Sequence, residues 1–239
     1  MNSQRLVGKV MFDILGKPVI WHIYNRLSNC KLLNSVVIST GEYEKNKQIC
    51  DFASENKIQF YSGSETDLIN RLYQTSIYFR ASAIVRITSD CPLVDPKIVD
   101  DLVLKYIDLQ DKYDIVTNCQ THTFPHGLDI EVYSSIILKK MNKLIKQPEL
   151  REWFPFFVAK NPELFRVLNV ANDKNLSNIR LTLDYQEDYD CIKKIYQALY
   201  NEKKIFYMAD IMKLLKKQPE LLQINSKYIE HRNIDAPKL

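Results

Sequence analysis

Short β-branched runs alternate with amphipathic stretches along almost the whole chain, and that alternation restricts the fold more than any other feature. SVVIST (residues 35–40), KIQFY (57–61), AIVRIT (83–88), DIVT (114–117), DIEVY (129–133) and FRVLNV (165–170) have the length and residue type of buried strands. RLTL (180–183) reads the same way. Helical spacing falls between them, over residues 43–56, 66–79, 96–109, 134–146, 186–199 and 209–217. Pro96 suits the first turn of its helix and Asp95 the N-cap before it. Strands that alternate with helices at this spacing predict βαβ units: an α/β, Rossmann-like, mostly parallel sheet with helices on both faces. Ligands of such sheets bind beyond the carboxyl ends of the strands, so the loops at residues 40–42, 62–67 and 89–95 and at Asp184 are the places to look.

Composition removes several other classes. A 239-residue chain with 46% apolar residues can bury a core, and 26% charged residues with 11% aromatics do not describe a disordered chain. The net charge of +4 comes from scattered lysines, which suits a phosphate-bearing ligand without demanding nucleic acid. Five widely spaced cysteines include no CxxC pair, so neither a disulfide framework nor a zinc cluster is expected. No apolar run reaches the ~20 residues of a membrane helix and no signal-peptide pattern opens the chain, so a cytoplasmic location is expected.

The opening MNSQRLVGKVMFDILGKPVI places Ser3, Arg5, Gly8 and Lys9 in one short loop. Triphosphate binding calls for hydroxyl and backbone donors with cations, and these residues supply them. The same residues also describe a solvated N-terminal loop, and GxxxxGK[ST] is absent. Asp90, after strand 83–88, and Asp184, after 180–183, are candidate ligands for Mg²⁺, a hard cation that takes carboxylate and phosphate oxygens. Glu187 and Asp188 fall in a first helical turn, where favouring the helix dipole accounts for them. His126, in FPHGLDIE, is read as an acceptor-pocket or a surface-loop residue. The only five glycines, where average usage gives roughly 17, include Gly16 and Gly41, which read as plain turns. Gly8, Gly63 and Gly127 read equally as turns or as close approaches to a ligand.

RL-GKV, ILGKPVI, VVIST, GSE-DLINR, VRITSDCPLVDP, FPHGLDIEVYS and LSNIRLTLD with its following QED stand in an order that resembles the cytidylyltransferase-like sugar-activating enzymes. The resemblance is nearest to the spore-coat polysaccharide biosynthesis protein F family, related to the CMP-acylneuraminate and CMP-3-deoxy-manno-octulosonate synthetases. It spans about residues 1–199 and implies a fold of the nucleotide-diphospho-sugar transferase type. It also implies transfer of CMP from CTP to a sugar acid or sugar phosphate, with Mg²⁺ as cofactor, for surface polysaccharide or glycan synthesis. Carried over residue by residue, it gives Lys9 and Arg5 the nucleotide phosphates, and Ser3 and Gly8 a place in the same loop. Gly63, Ser64, Asp67 and Arg71 resemble the stretch near the nucleoside; Asp90 and Asp184 resemble the two metal ligands. Gly127, Asp129, Glu131 and Arg151 fall to the acceptor side.

Two departures stand out. The family pattern opens with a strand ending in Gln-Ala-Arg, whereas this chain starts inside the phosphate loop, so the first, central strand is expected to be missing and two neighbours to lack a partner. The family's REHVTPY reads REWFPFF here: Arg151 and Glu152 match, but Trp153 and Phe154 do not, which bears on the acceptor pocket or on a dimer contact. A single domain over residues 1–217 with a polar, peripheral tail over 218–239 is expected, with no nucleic acid or membrane partner and a homodimer compatible. Two other functions stay open: a catalytically impaired nucleotide-binding homologue, and a glycosyltransferase that consumes a nucleotide sugar.

Overall fold

The computed structural model describes residues 5–231, so Ser3 lies outside the described residues. The chain enters through a 3-10 turn and a two-residue hairpin, β1 (Asp13–Ile14) against β2 (Lys17–Pro18). Its turn residues Leu15 and Gly16 both have positive φ, 54° and 80°, the combination a tight two-residue hairpin needs. Pro18 then leads into α1 (Val19–Leu27), which the alternation above does not announce. Val19, Ile20, Ile23 and Leu27 form its buried face.

Next come β3 (Val37–Thr40), α2 (Lys47–Glu55) and β4 (Gln59–Ser62), a βαβ unit with β3 and β4 parallel from Val37↔Gln59 to Thr40↔Ser62. α3 (Leu68–Tyr78) is capped by Asp67, whose carboxylate accepts from Asn70 N at 2.9 Å. β5 (Ala83–Arg86) and α4 (Pro96–Leu109) follow, with Asp95 accepting from Lys97 N at 2.8 Å as its N-cap. β6 (Ile115–Thr117), β7 (Glu131–Ser134), α5 (Ser135–Leu144), α6 (Pro148–Glu152), α7 (Phe154–Lys160) and β8 (Val167–Asn169) complete the middle of the chain. α8 (Gln186–Leu199) and α9 (Met208–Lys217) follow.

The larger sheet has the order β5-β7-β6-β8, and β3-β4 form a separate pair. β6 and β8 are parallel, while β7 runs against both β5 and β6. That reversal is an antiparallel insertion within a sheet expected to be mostly parallel, and it has a local cause. Parallel neighbours need a long crossover, usually helical. β6 and β7 are instead joined by a loop that folds back on itself: Asn118 N donates to Ile130 O (3.2 Å) and Ile130 N to Asn118 Oδ1 (2.8 Å).

Alternation along the strands feeds two cores. Val116 and Val132 pack with α1, α4, α8 and α9 through Ile23, Leu102, Ile192 and Ile211. Ile115 and Tyr133 point the other way, toward Leu72, Leu138, Met141 and Phe154 of α3, α5 and α7. Helices therefore cover both faces, and each fully buried aliphatic side chain contributes roughly 1.5–3 kcal/mol. No helix among the described residues is long and apolar enough to cross a membrane.

Two segments differ from expectation. Residues 180–183 are extended but form only one bridge, His126↔Arg180, because both flanks are taken by loops instead of strands. Leu181 N donates to His126 O (2.7 Å) and Leu183 N to Asp90 O (2.8 Å). Residues 218–231 were expected at the periphery, yet Leu221 joins the larger core and Asn225 is 2% exposed.

Candidate active site

Loop 126–130, the end of β5, segment 180–184 and the N-terminal turn meet around one cleft of about 550 Å³. Gly8 enters the turn with φ 71°, and Lys9 follows it, almost buried. Lys9 Nζ donates to Leu183 O (2.6 Å) and Asp184 Oδ1 (2.8 Å), and lies 4.0 Å from Asp90 Oδ2. The two carboxylates expected to share an ion thus share a cation, though 94 residues separate them in the chain (184 less 90). Leu183 N and Thr182 Oγ1 both donate to Asp90 O, which ties the two segments together.

Beneath Asp184 lies a buried ion-pair network. Arg5 Nη2 reaches Asp184 Oδ1 at 3.1 Å and Arg180 Nη2 reaches Oδ2 at 3.3 Å. Arg180 forks onto Asp188 with two bonds of 2.8 Å, from Nε and Nη2. Asp188, wholly buried, also accepts from the backbone N–H groups of Asp184 and Tyr185 (2.9 and 3.0 Å). Asp188 therefore does more than favour a helix dipole. It fixes the turn that presents Asp184. Burial pushes the Asp184 carboxyl up, but Lys9, Arg5 and Arg180 together outweigh it and hold it below the ordinary carboxylate value.

The donor set at Asp90 and Asp184 fits a hard divalent cation in kind, two carboxylates being what Mg²⁺ takes besides phosphate oxygens. Three cations (Lys9, Arg5, Arg180) already meet three carboxylates (Asp90, Asp184, Asp188) here. A polyphosphate arriving at this balanced cluster would call for further positive charge. Asp90, 30% exposed at its side chain against 6% for Asp184, is the more open carboxylate of the two.

Asp129 and Glu131 also line the cleft. Glu131 is paired with Arg86 and accepts from Tyr133 OH at 2.8 Å. Burial works against the Arg86 charge, but Glu131 outweighs it and keeps the guanidinium protonated. His126 lines the cleft and is no surface histidine: its Nδ1 accepts from Arg180 Nη1 at 3.3 Å and its Nε2 lies 4.0 Å from Asp129. Trp153 and Phe156, from the REWFPFF stretch, form part of the wall. Burial, then nearby carboxylates, push the Cys91 and Cys119 thiols well up, so neither serves as a nucleophile.

Gly127 supports the site by closeness. Its φ is 100°, and a Cβ there would fall 2.5 Å from Thr182 N and 2.6 Å from Leu181 O. Only glycine lets loop 126–130 lie against the strand-like segment that ends in Asp184.

Gly63, Ser64, Asp67, Arg71 and Arg151 do not line the cleft. Asp67 caps α3 and pairs with Arg151 Nε at 2.8 Å. Arg151 Nη1 also donates to Asn142 O and Ile145 O. Ser64 Oγ accepts from Asp67 N (3.0 Å), and Arg71 Nη1 donates to Ser64 O (2.7 Å). Gly63 stands beside this knot, where a Cβ would come within 2.8 Å of the Tyr61 ring and 3.1 Å of the Arg71 stem. From this stretch the cleft receives Leu68. Arg86, Arg180, His122 and His231 were not singled out in the sequence; only the spacing of Arg180, Asp184 and Asp188, four residues apart each, could have signalled the network.

Comparisons with known proteins agree with this architecture. The family model described as cytidylyltransferase matches residues 1–211. The spore coat polysaccharide biosynthesis protein SpsF of Bacillus subtilis is 25% identical over 92% of this chain and 92% of its own. A 3-deoxy-manno-octulosonate cytidylyltransferase of Lawsonia intracellularis is 28% identical over 56% of this chain and 54% of its own. The solved structure of a cytidylyltransferase from Leptospira borgpetersenii superposes with a TM-score of 0.88 at 31% identity, covering 93% of each chain. The family model over residues 1–211, with the close superposition on a cytidylyltransferase 31% identical over 93% of the chain, places this protein in the cytidylyltransferase family of nucleotidyltransferases.

Proposed function

We propose that the protein transfers the CMP unit of CTP to a sugar acid or sugar phosphate and releases pyrophosphate, in the synthesis of a surface polysaccharide or glycan. The observation that carries this reading is Lys9, held between Asp90 and Asp184, which line the cleft together with Arg5. The names of two relatives, one acting on 3-deoxy-manno-octulosonate and one serving spore coat polysaccharide, support the acceptor class.

An acceptor oxygen attacks the α-phosphorus of CTP, the new P–O bond forms as the bond to the β-phosphate oxygen breaks, and the acceptor proton passes to solvent. Arg5 and Lys9 offset charge on the phosphate oxygens, while Asp129 and Glu131 accept hydrogen bonds from acceptor hydroxyls and hold its orientation. Asp90 and Asp184 would hold Mg²⁺, which supplies additional charge neutralisation. Positioning and electrostatics supply the rate enhancement, and no protein nucleophile is needed. A cytoplasmic setting suits five cysteines that are all free thiols.

A glycosyltransferase would want a paired Asp-x-Asp at a strand end. The triplet Asp188–Asp190 lies within α8 instead, with Asp188 consumed by Arg180. The test is pyrophosphate release from CTP and Mg²⁺ across a panel of 2-keto sugar acids and sugar phosphates. Release with at least one acceptor, abolished by Asp90→Asn, is the expected result. CTP binding without release on any acceptor overturns the transfer reading in favour of a non-catalytic nucleotide-binding protein.

A further inference from the structure

The segment 218–231 lies beyond the residues the family model matches, yet it ends with His231 in the wall of the cleft. Two 3-10 turns, Pro219–Gln223 and Ser226–Tyr228, carry it back across α8. Leu221 anchors it in the core, which packing alone explains. The polar residues after it need another explanation. Asn225 Nδ2 donates to Arg180 O (3.1 Å) and to Asp188 Oδ1 (2.9 Å), the pair that underlies Asp184. Tyr228 lies flat on Tyr185, the residue after Asp184, with ring centroids 3.7 Å apart and planes 5° from parallel. Arg5 and Arg180 both lie over the Tyr185 ring, their Cζ atoms 5.4 and 5.5 Å from its centroid. His231 Nδ1 meets Tyr185 OH at 3.1 Å, and its ring lines the cleft together with Arg5 and Asp184. With Nδ1 engaged, Nε2 is the ring atom left to meet a ligand.

We propose that this strap is a working part of the nucleotide site: Asn225 and Tyr228 are positioning residues for Asp184 and Arg5, and His231 contacts the phosphate chain of a bound nucleoside triphosphate. The proposal rests on the nucleotidyl-transfer reading and adds the residues that grip its donor. A buried amide is retained at such a place only if its hydrogen bonds are met, and both of Asn225's go to the network beneath the cleft. A guanidinium over an aromatic face loses side-chain freedom before a ligand arrives, so the Tyr228–Tyr185 stack preorganises Arg5 toward the phosphates.

The test uses the full 239-residue chain, with calorimetric titration of CTP and, separately, CMP in Mg²⁺, alongside thermal unfolding. His231→Gln is expected to weaken CTP binding about tenfold while CMP changes by less than about twofold, since the contact is with the outer phosphates. Tyr228→Leu is expected to weaken CTP by a similar factor, and Tyr228→Phe, which keeps the stack, to restore most of it. Either variant binding CTP within about twofold of wild type overturns its part of the proposal. Equal losses for CMP and CTP, tracking a fall in Tm, overturn it in favour of a packing role. Wild-type protein that binds no nucleoside triphosphate sinks the nucleotidyl-transfer reading and the strap together; binding that the variants leave unchanged sinks the strap alone.

Discussion

Two polar knots of similar make-up occupy this molecule and do different work. Asp67, Arg71, Arg151 and Ser64 bond to each other and to the ends of α3 and α5, so these bonds join helices. Lys9, Arg5, Asp184, Arg180 and Asp188 also bond to each other, but through Arg5 and Asp184 this network faces a cleft. In sequence both knots look like ligand sites. What separates them is whether the network has a face on empty space, and that depends on packing, not on residue type.

Substitutions can break this contrast, and the largest effect is expected deepest in the cleft network. Asp188→Ala leaves Arg180 buried without its main partner and should cost about 3–5 kcal/mol of stability, read from chemical denaturation. A loss below about 1 kcal/mol would mean that the knot is held from elsewhere. Lys9→Met removes the cation that bridges Asp90 and Asp184, and pyrophosphate release should fall by about 10²–10³-fold at saturating CTP. Arg151→Met sharpens the comparison from the other side. It should lower stability by about 1.5–3 kcal/mol, the worth of a charged hydrogen bond, with CTP affinity unchanged. A CTP affinity that falls with Arg151→Met would show that the two knots are one site.

The smallest effect serves as a control from a third polar group, one packed purely in the core. His22 is 1% exposed, and its Nε2 donates to Ile14 O at 2.8 Å. Burial lowers its pKa, so the unfolded chain binds the proton more tightly. Its contribution to stability is present above pH ~6.5 and is lost as pH falls through the lowered folded value. The Tm of wild type should therefore decline more steeply below that pH than the Tm of His22→Phe; parallel curves would assign the acid sensitivity to other groups.

Much of the fold was legible because its causes are local. The helix Pro96–Leu109 has both its signals, Asp95 and Pro96, in adjacent positions. The β3-α2-β4 unit follows from alternating pattern alone. Strand direction is another matter: the run that became β7 was visible, but its reversal depends on loop 118–130 closing on itself through Asn118. Helix α1 was overlooked because its start hides behind the glycine-proline hairpin. Segment 180–183 has strand-like residues yet lies between loops, so its neighbours denied it a ladder. For the site, Asp90 and Asp184 were marked one by one by their places at strand ends and Lys9 by its basic loop, but no local pattern links residues 175 positions apart, so only the family resemblance joined them. Asn225 and His231 had neither local pattern nor resemblance to mark them.

The contact at Gly127 has a mechanical consequence. Its backbone touches Leu181 and Thr182 with no room for even a methyl group, so the loop that carries Asp129 and the segment that carries Asp184 cannot slide past one another. A molecule that presses the first toward the second meets backbone, not a gap that could absorb the push. The two substrates of a transfer reaction would thereby sense each other's arrival through a rigid coupling one residue wide.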